Sequence, residues 1–176
     1  MKAFSLYLFL IAWVGARSFA GAQIGLTDNE KAASQGTWGP VDYSTQVSIG
    51  LKDAIHDFRT NQPIDLVVRI KNLSTNEEYS IYLQNSFIFT EGLSLEVLSP
   101  SGKDVSPVFQ KTSHGSGGVV WIHPSQTDGF IFDLHEICKM DEFGIYQVSL
   151  NIQRRTPDHR KSFDVRSNRL KVKIVP

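Results

Sequence analysis

Short segments in which apolar and polar residues alternate are the feature that most constrains the fold of this chain. The clearest is the segment 64–71, where isoleucine, leucine and valine at even-numbered positions alternate with mostly polar residues. A period of two is that of a β-strand with one buried face. About eight such segments, separated by turn residues, predict an all-β sandwich, with one or two helical turns only around 135–140. The other alternating segments begin near Val47, Tyr79, Leu93, Val119, Phe130, Tyr146 and Leu170.

The segment 142–148 indicates which kind of sandwich this is. Its order is acid-x-Gly-x-Tyr-x-apolar, with Glu142 first, Gly144 third and Tyr146 fifth. This is the order of a tyrosine corner, in which a tyrosine near the start of a strand bonds to backbone upstream of it. Val148 stands where antibody domains carry the second cysteine of their disulfide. We therefore predict an immunoglobulin-like sandwich without a disulfide, in which Gly144 and Tyr146 have structural roles.

The first residues of the chain predict export. Lys2 supplies a positive start, residues 6–14 an apolar centre, and the Ala-Gly-Ala at 20–22 a cleavage site of small residues. The apolar stretch is shorter than the about 20 residues that a membrane-spanning helix needs. We expect a secreted or periplasmic protein without stable membrane insertion. The predicted boundaries are a signal peptide at 1–22, a flexible leader at 23–37 and the sandwich domain at 38–176.

Two residues raise the question of covalent modification. Cys138 is the only cysteine, so no intramolecular disulfide can form. Its apolar neighbour Ile137 favours a buried thiol, and an intermolecular disulfide is the alternative. Asn72 begins an Asn-x-Ser triplet in a predicted turn, which fits an acceptor for N-glycosylation.

Neither a catalytic motif nor a metal motif is present. His135 and Glu136 begin like a zinc-protease helix, but Lys139 occupies the position of the second histidine. Asp133, His135 and Cys138, with His123, are possible ligand types, but no ligand spacing supports a zinc site. We therefore predict no metal and no cofactor.

Four acids near a predicted turn could be imagined as the paired carboxylates of a glycoside hydrolase. Their spacing alone places no two of them across a sugar, and acids at a turn are ordinarily solvated. We therefore predict that the chain is not an enzyme. These acids are Asp133, Glu136, Asp141 and Glu142.

Positive charge is concentrated near the end of the sequence. The whole chain is neutral, with 18 basic and 18 acidic residues, but residues 153–176 hold eight basic residues against two acids. Within them the segment 154–161, here called the basic hairpin, connects two predicted strands at one end of the sandwich, where loops commonly bind partners. The alternative is a solvated loop tip. The candidate binding residues are Arg154, Arg155, His159, Arg160 and Lys161.

This charge predicts a binding module that recognises a protein or an anionic polysaccharide through its end loops. Nucleic acid is not expected, because the compartment is wrong and no interleaved aromatic residues offer stacking. The alternative function is an inhibitor or chaperone-like accessory domain of an exported enzyme. It would use strand edges or the apolar patch of Phe87, Ile88 and Phe89.

Two parts of the chain resemble known families. The opening part, with Trp-Gly-Pro-Val at 38–41, Ile-Gly-Leu at 49–51 and Pro-Ile-Asp-Leu at 63–66, resembles exported bacterial immunoglobulin-like domains of uncharacterised function. The closing part, with Phe-Ile-Phe-Asp-Leu at 130–134 and Gly-Ile-Tyr-Gln-Val at 144–148, is similar to the non-catalytic β domain of secreted deuterolysin-type metallopeptidases. The His-Glu-x-x-His motif of the peptidase is absent, so the resemblance implies an accessory or binding module.

Overall fold

The fold is that of an all-β sandwich, as the alternating segments predicted. A computed structural model describes residues 23–32, 37–53, 57–84, 93–107, 117–155 and 162–176. Within these ranges the chain forms eleven strands and two short helices. The signal peptide predicted at 1–22, the apolar patch at 87–89 and residues 156–161 of the basic hairpin lie outside them.

The first sheet, sheet A, is antiparallel throughout. Its order is β1 (Gln23–Ile24), β8 (Thr127–Asp133), β4 (Asp65–Asn72) and β2 (Thr45–Leu51). One face of each long strand in this sheet carries apolar side chains into the core, as the alternation in 64–71 requires.

The second sheet, sheet B, is organised around its longest strand, β9 (Gly144–Arg155). β6 (Leu93–Leu98) pairs with one edge of β9. On the other edge, β11 (Leu170–Val175) pairs with the first part of β9 and β10 (Ser162–Arg166) with the last part. β3 (Asp57–Arg59) adds to β11 in parallel. The partner of β9 therefore changes near its middle, between residues 148 and 151.

The remaining elements are short. β5 (Tyr79–Gln84) and β7 (Gly117–Ile122) form a separate antiparallel pair. α2 (Leu134–Ile137) follows β8 directly and lies where helical turns were predicted. The Asp133 carboxylate caps this helix, because its Oδ1 atom accepts the His135 N–H at 2.9 Å.

The core is continuous between the two sheets and contains no disulfide. In β6, buried Leu93, Leu95 and Val97 alternate with exposed residues, so the strand presents one face inward and one outward. Tyr146 and Val148 of β9 face the same core, where Val148 is fully buried. Burial of apolar area, at about 25 cal/mol per Å², is thus the main stabilising contribution.

Residues 23–32, which the prediction places in a leader over 23–37, carry regular secondary structure. β1 pairs with the edge of β8, and α1 (Asp28–Ala32) follows it. The physical reason is a small apolar cluster on the outer face of sheet A, where Leu26 covers Val67 and Ile131. Among the described side chains of this segment, Leu26 makes the contact, and most of the other residues are polar.

The segment that covers the outer face of sheet A also buries Arg69, whose guanidinium group is only partly hydrogen-bonded. Arg69 lies on the outer face of β4 and is only 2% exposed. Its Nε atom donates to the Glu30 carbonyl oxygen at 2.6 Å, but its Nη1 atom is buried without a hydrogen-bond partner. Burial lowers the pKa of the Arg69 guanidinium.

Candidate functional site

The predicted tyrosine corner is present. The Tyr146 hydroxyl oxygen accepts the Glu142 N–H at 2.8 Å. Gly144, between them, has a φ of +133°, and a Cβ atom there would lie 2.8 Å from the Cβ of Pro100. Both residues therefore have the structural role that the motif predicted, and they fix the start of β9.

The acids considered as catalytic pairs take part in local structure. The Glu142 carboxylate accepts the Ser101 hydroxyl at 3.0 Å, which lowers its pKa. Asp141 pairs with Lys139 at 2.7 Å, and Asp133 caps α2. Burial raises the pKa of Glu136, with a further contribution from the neighbouring carboxylates of Asp133 and Asp65.

The possible metal ligands do not converge. His123 Nδ1 contacts the Glu78 carboxylate, whereas His135 belongs to α2. Among the described residues, no group of three or more histidine, cysteine or acidic side chains could hold a metal ion. Cys138 is buried, as its apolar neighbour predicted, and this burial raises the pKa of its thiol to about 12.

Asn72 is not in an exposed turn, which corrects the expectation for the Asn-x-Ser triplet. The residue is 1% exposed at the end of β4. Its side-chain amide donates to the carbonyl oxygens of Glu77 and Ile122, and its Oδ1 atom accepts the Ser74 N–H. The side chain thus closes a turn and has no room for a glycan in the folded protein.

Strand pairing defines the two ends of the basic hairpin. Arg155 of β9 lies opposite Ser162 of β10, and Arg154 lies opposite Phe163. The positions that join them, which include His159, Arg160 and Lys161, lie outside the described residues. Sequence reasoning missed β10, although Phe163 and Val165 alternate with polar residues and could have indicated it.

A polar groove that the sequence did not predict lies on sheet B. Its volume is about 440 Å³. Strand register brings its residues together, because Glu96 lies opposite Ser149 and Asn151 lies between Ser94 and Arg166. No local motif could have found it, since its residues come from distant parts of the sequence. The polar residues that carry most of its chemistry are Glu96, Asp104, Ser149, Asn151, Arg166 and Arg169.

The acidic and the basic residues of this groove differ in their partners. The Ser149 hydroxyl donates to the Glu96 carboxylate at 2.8 Å. Asp104 accepts the hydroxyl and the N–H of Ser106, and these bonds lower its pKa. Within the described ranges neither guanidinium group of the groove forms an ion pair.

The fold and these surfaces define an all-β sandwich with a tyrosine corner, a basic hairpin and a polar groove. No protein-family model matches the chain, and no curated protein matches it. In the part of the chain that the structure describes, no helix is long and apolar enough to cross a membrane.

Several solved structures show a weak likeness to this chain. A β-glucosidase from Listeria innocua in complex with glucose is 10% identical over 75% of this chain, with a TM-score of 0.42. The same enzyme in complex with gluconolactone is 12% identical over 75%, with a TM-score of 0.39. In both cases the match covers 16% of the enzyme. Nothing about this chain follows from likenesses this weak.

Proposed function

We propose that this chain is an exported, immunoglobulin-like binding module without catalytic activity. It recognises a protein or an anionic polysaccharide through its end loops, notably the basic hairpin 154–161. The observation that carries the proposal is the pairing of Arg155 with Ser162 at the end of the β9–β10 ladder. This pairing supports a hairpin between β9 and β10, and the segment 154–161 holds four permanent positive charges and His159 in the sequence.

The charge of the hairpin is local, because the whole chain is neutral. An anionic partner is therefore attracted by local positive charge and not by the net charge of the molecule. Attraction between exposed charges is screened over about 8 Å at physiological salt. Binding through the hairpin consequently weakens as salt is added.

The test measures binding to defined probes at increasing salt. Residues 23–176 are passed over immobilised polygalacturonate, immobilised polyglutamate as a model of an acidic protein surface, and neutral dextran. The hairpin variant carries Arg154→Ala, Arg155→Ala, Arg160→Ala and Lys161→Ala. The matched control removes the same charge from four other exposed lysines, Lys52, Lys103, Lys139 and Lys173.

We expect salt-sensitive retention on one anionic probe, its weakening in the hairpin variant and its persistence in the control variant. Retention that survives both high salt and the hairpin substitutions overturns the role of the hairpin. Equal loss in the two variants shows attraction by charge alone and overturns it as well.

The alternative function, an accessory domain that inhibits or assists an exported enzyme through strand edges, receives less support. Within the described residues, β1 covers the edge of β8, and the Asn168 side chain bonds to the backbone of Ile49 at the edge of β2. Sheet A therefore offers little unpaired backbone to an added strand.

A further inference from the structure

We propose that the polar groove on sheet B binds an acidic saccharide, in which each recognised unit carries one carboxylate and several hydroxyl groups. The groove volume of about 440 Å³ falls among the about 300–1,000 Å³ of small-ligand sites. This inference rests on the proposed binding function, because it names the class of ligand and adds a second contact surface to the basic hairpin.

The basic residues of the groove supply the carboxylate site. Arg166 and Arg169 are exposed, and neither pairs with an acid among the described residues. Arg169 makes one hydrogen bond, from Nη1 to the Gln147 side-chain oxygen at 3.3 Å, which leaves most of its donors for a ligand. A guanidinium group matches a carboxylate with two parallel hydrogen bonds.

The acidic residues of the groove supply the hydroxyl site. Each ionised carboxylate has about four acceptor positions, and Glu96 uses one of them for the Ser149 hydroxyl. Asn151 adds an unpaired acceptor, because its Oδ1 atom is buried without a partner. If the Asn151 carboxamide rotates toward the groove, a saccharide hydroxyl donates a hydrogen bond to this Oδ1 atom.

Because the groove holds both acidic and basic side chains, it distinguishes ligands by their charge and by their hydroxyl groups. A polymer that carries negative charge alone is repelled by Glu96 and Asp104. A neutral saccharide leaves both guanidinium groups without an anion. A sugar acid offers a carboxylate to the basic residues and hydroxyl groups to the acidic residues, since these groups lie on different sides of one ring.

The groove and the start of the basic hairpin lie on the same strand, β9. Ser149 lines the groove and Arg155 stands at the start of the hairpin, six residues farther on the same strand. At about 3.3 Å per residue this is about 20 Å. A polymer of acidic sugar units can therefore contact both surfaces, whereas a short oligomer fits the groove alone.

The experiment separates the groove from the hairpin by ligand length. Trigalacturonic acid and its methyl-esterified form are titrated calorimetrically into residues 23–176 and into three variants. The groove variant is Arg166→Ala with Arg169→Ala, and the hairpin variant is the one described above. The matched control, Lys171→Ala with Lys173→Ala, removes the same charge from exposed positions of β11 outside the groove.

We expect the trimer to bind the unaltered protein and the esterified trimer to bind at least about tenfold more weakly, which is about 1.4 kcal/mol. The groove variant loses at least this factor for the acid, while the hairpin and control variants keep their affinity. Denaturant unfolding of each variant shows that the fold is retained. Asn151→Ala is a second test, expected to weaken binding without a change of charge.

The opposite outcomes distinguish the two proposals. Binding of polygalacturonate or polyglutamate that depends on the hairpin, without binding of the trimer to the groove, overturns the groove inference and leaves the proposed function. Equal affinity for the acid and its ester overturns carboxylate recognition. No binding of any probe overturns both proposals.

Discussion

At the scale of single residues, both the backbone conformation and the packing around Gly144 favour glycine. Its φ of +133° lies in the region that favours glycine, and the side chain of Pro100 occupies the space that a Cβ atom would need. Gly102 also has a positive φ, +81°, but nothing lies within 4 Å of its Cβ position. Substitution of Gly102 therefore tests backbone strain alone, whereas substitution of Gly144 tests backbone strain together with collision against Pro100.

Gly144→Ala is expected to lower the free energy of unfolding by about 2–4 kcal/mol, because strain at positive φ and overpacking against Pro100 add. Gly102→Ala is expected to cost about 1 kcal/mol, from backbone strain alone. Tyr146→Phe, which removes the hydrogen bond to Glu142, is also expected to cost about 1 kcal/mol. Urea unfolding followed by tryptophan fluorescence measures all three. Equal losses for the two glycines contradict the collision at Gly144.

The buried thiol of Cys138 is expected to be inert in the folded protein. The thiolate is the reactive form, and burial raises the pKa of this thiol to about 12. A thiol-reactive disulfide reagent at pH 7.5 should therefore label the protein only after denaturant is added. Labelling of the native protein, or a disulfide-linked dimer on a non-reducing gel, contradicts this.

At the scale of elements, the edge of β2 is closed by a side chain that acts as a neighbouring strand does. Asn168, between β10 and β11, accepts the Ile49 N–H at 2.8 Å and donates to the Ile49 carbonyl oxygen at 3.0 Å. It thus ties sheet B to sheet A and removes two backbone groups from an open edge. Unpaired edges are templates for self-association.

Asn168→Ala is expected to have two effects. The loss of two hydrogen bonds should lower the free energy of unfolding by about 1–3 kcal/mol. The opened edge should also increase concentration-dependent self-association, measured by light scattering at several protein concentrations. Gln126→Ala, at an exposed position, is the control and should change neither property. A destabilised variant that stays monomeric would show that the bonds matter while the edge is protected by other means.

The sequence predicts those elements whose signals are local. Leu66, Val68 and Ile70 alternate with other residues within β4, and the motif of the Gly144–Tyr146 corner is complete within seven residues, so both could be found by pattern alone. The segment that holds β1 and α1 could not be found in this way. Leu26 within it packs against Val67 and Ile131, which lie about 40 and 100 residues away in the sequence. The groove was missed for the same reason, since register across β6, β9 and β10 creates it.

At the scale of the whole molecule, the titrating groups fall into two sets with opposite effects on stability. Hydrogen bonds from neighbouring hydroxyl and N–H groups lower the pKa of Asp104 and Glu142, so the stability that these groups contribute is lost as pH falls. Burial raises the pKa of Cys138 and Tyr146, so the stability that they contribute is lost as pH rises. Glu136, whose pKa is raised by burial, opposes the first set, because protonation relieves its cost.

The free energy of unfolding is therefore expected to be highest between about pH 5 and pH 9 and to fall on both sides. On the acid side, Glu142→Gln should make the free energy of unfolding fall less steeply as pH falls, because glutamine carries no charge to lose. Glu136→Gln should make it fall more steeply.

On the alkaline side, the thiol of the unfolded chain ionises with its ordinary pKa of 9.0, while the folded thiol ionises only with a pKa of about 12. Cys138→Ala should thus flatten the alkaline fall, although it lowers stability at pH 7. Urea unfolding from pH 3 to pH 10.5 measures both limbs, and an alkaline fall that Cys138→Ala leaves unchanged would assign that limb to other groups, such as Tyr146.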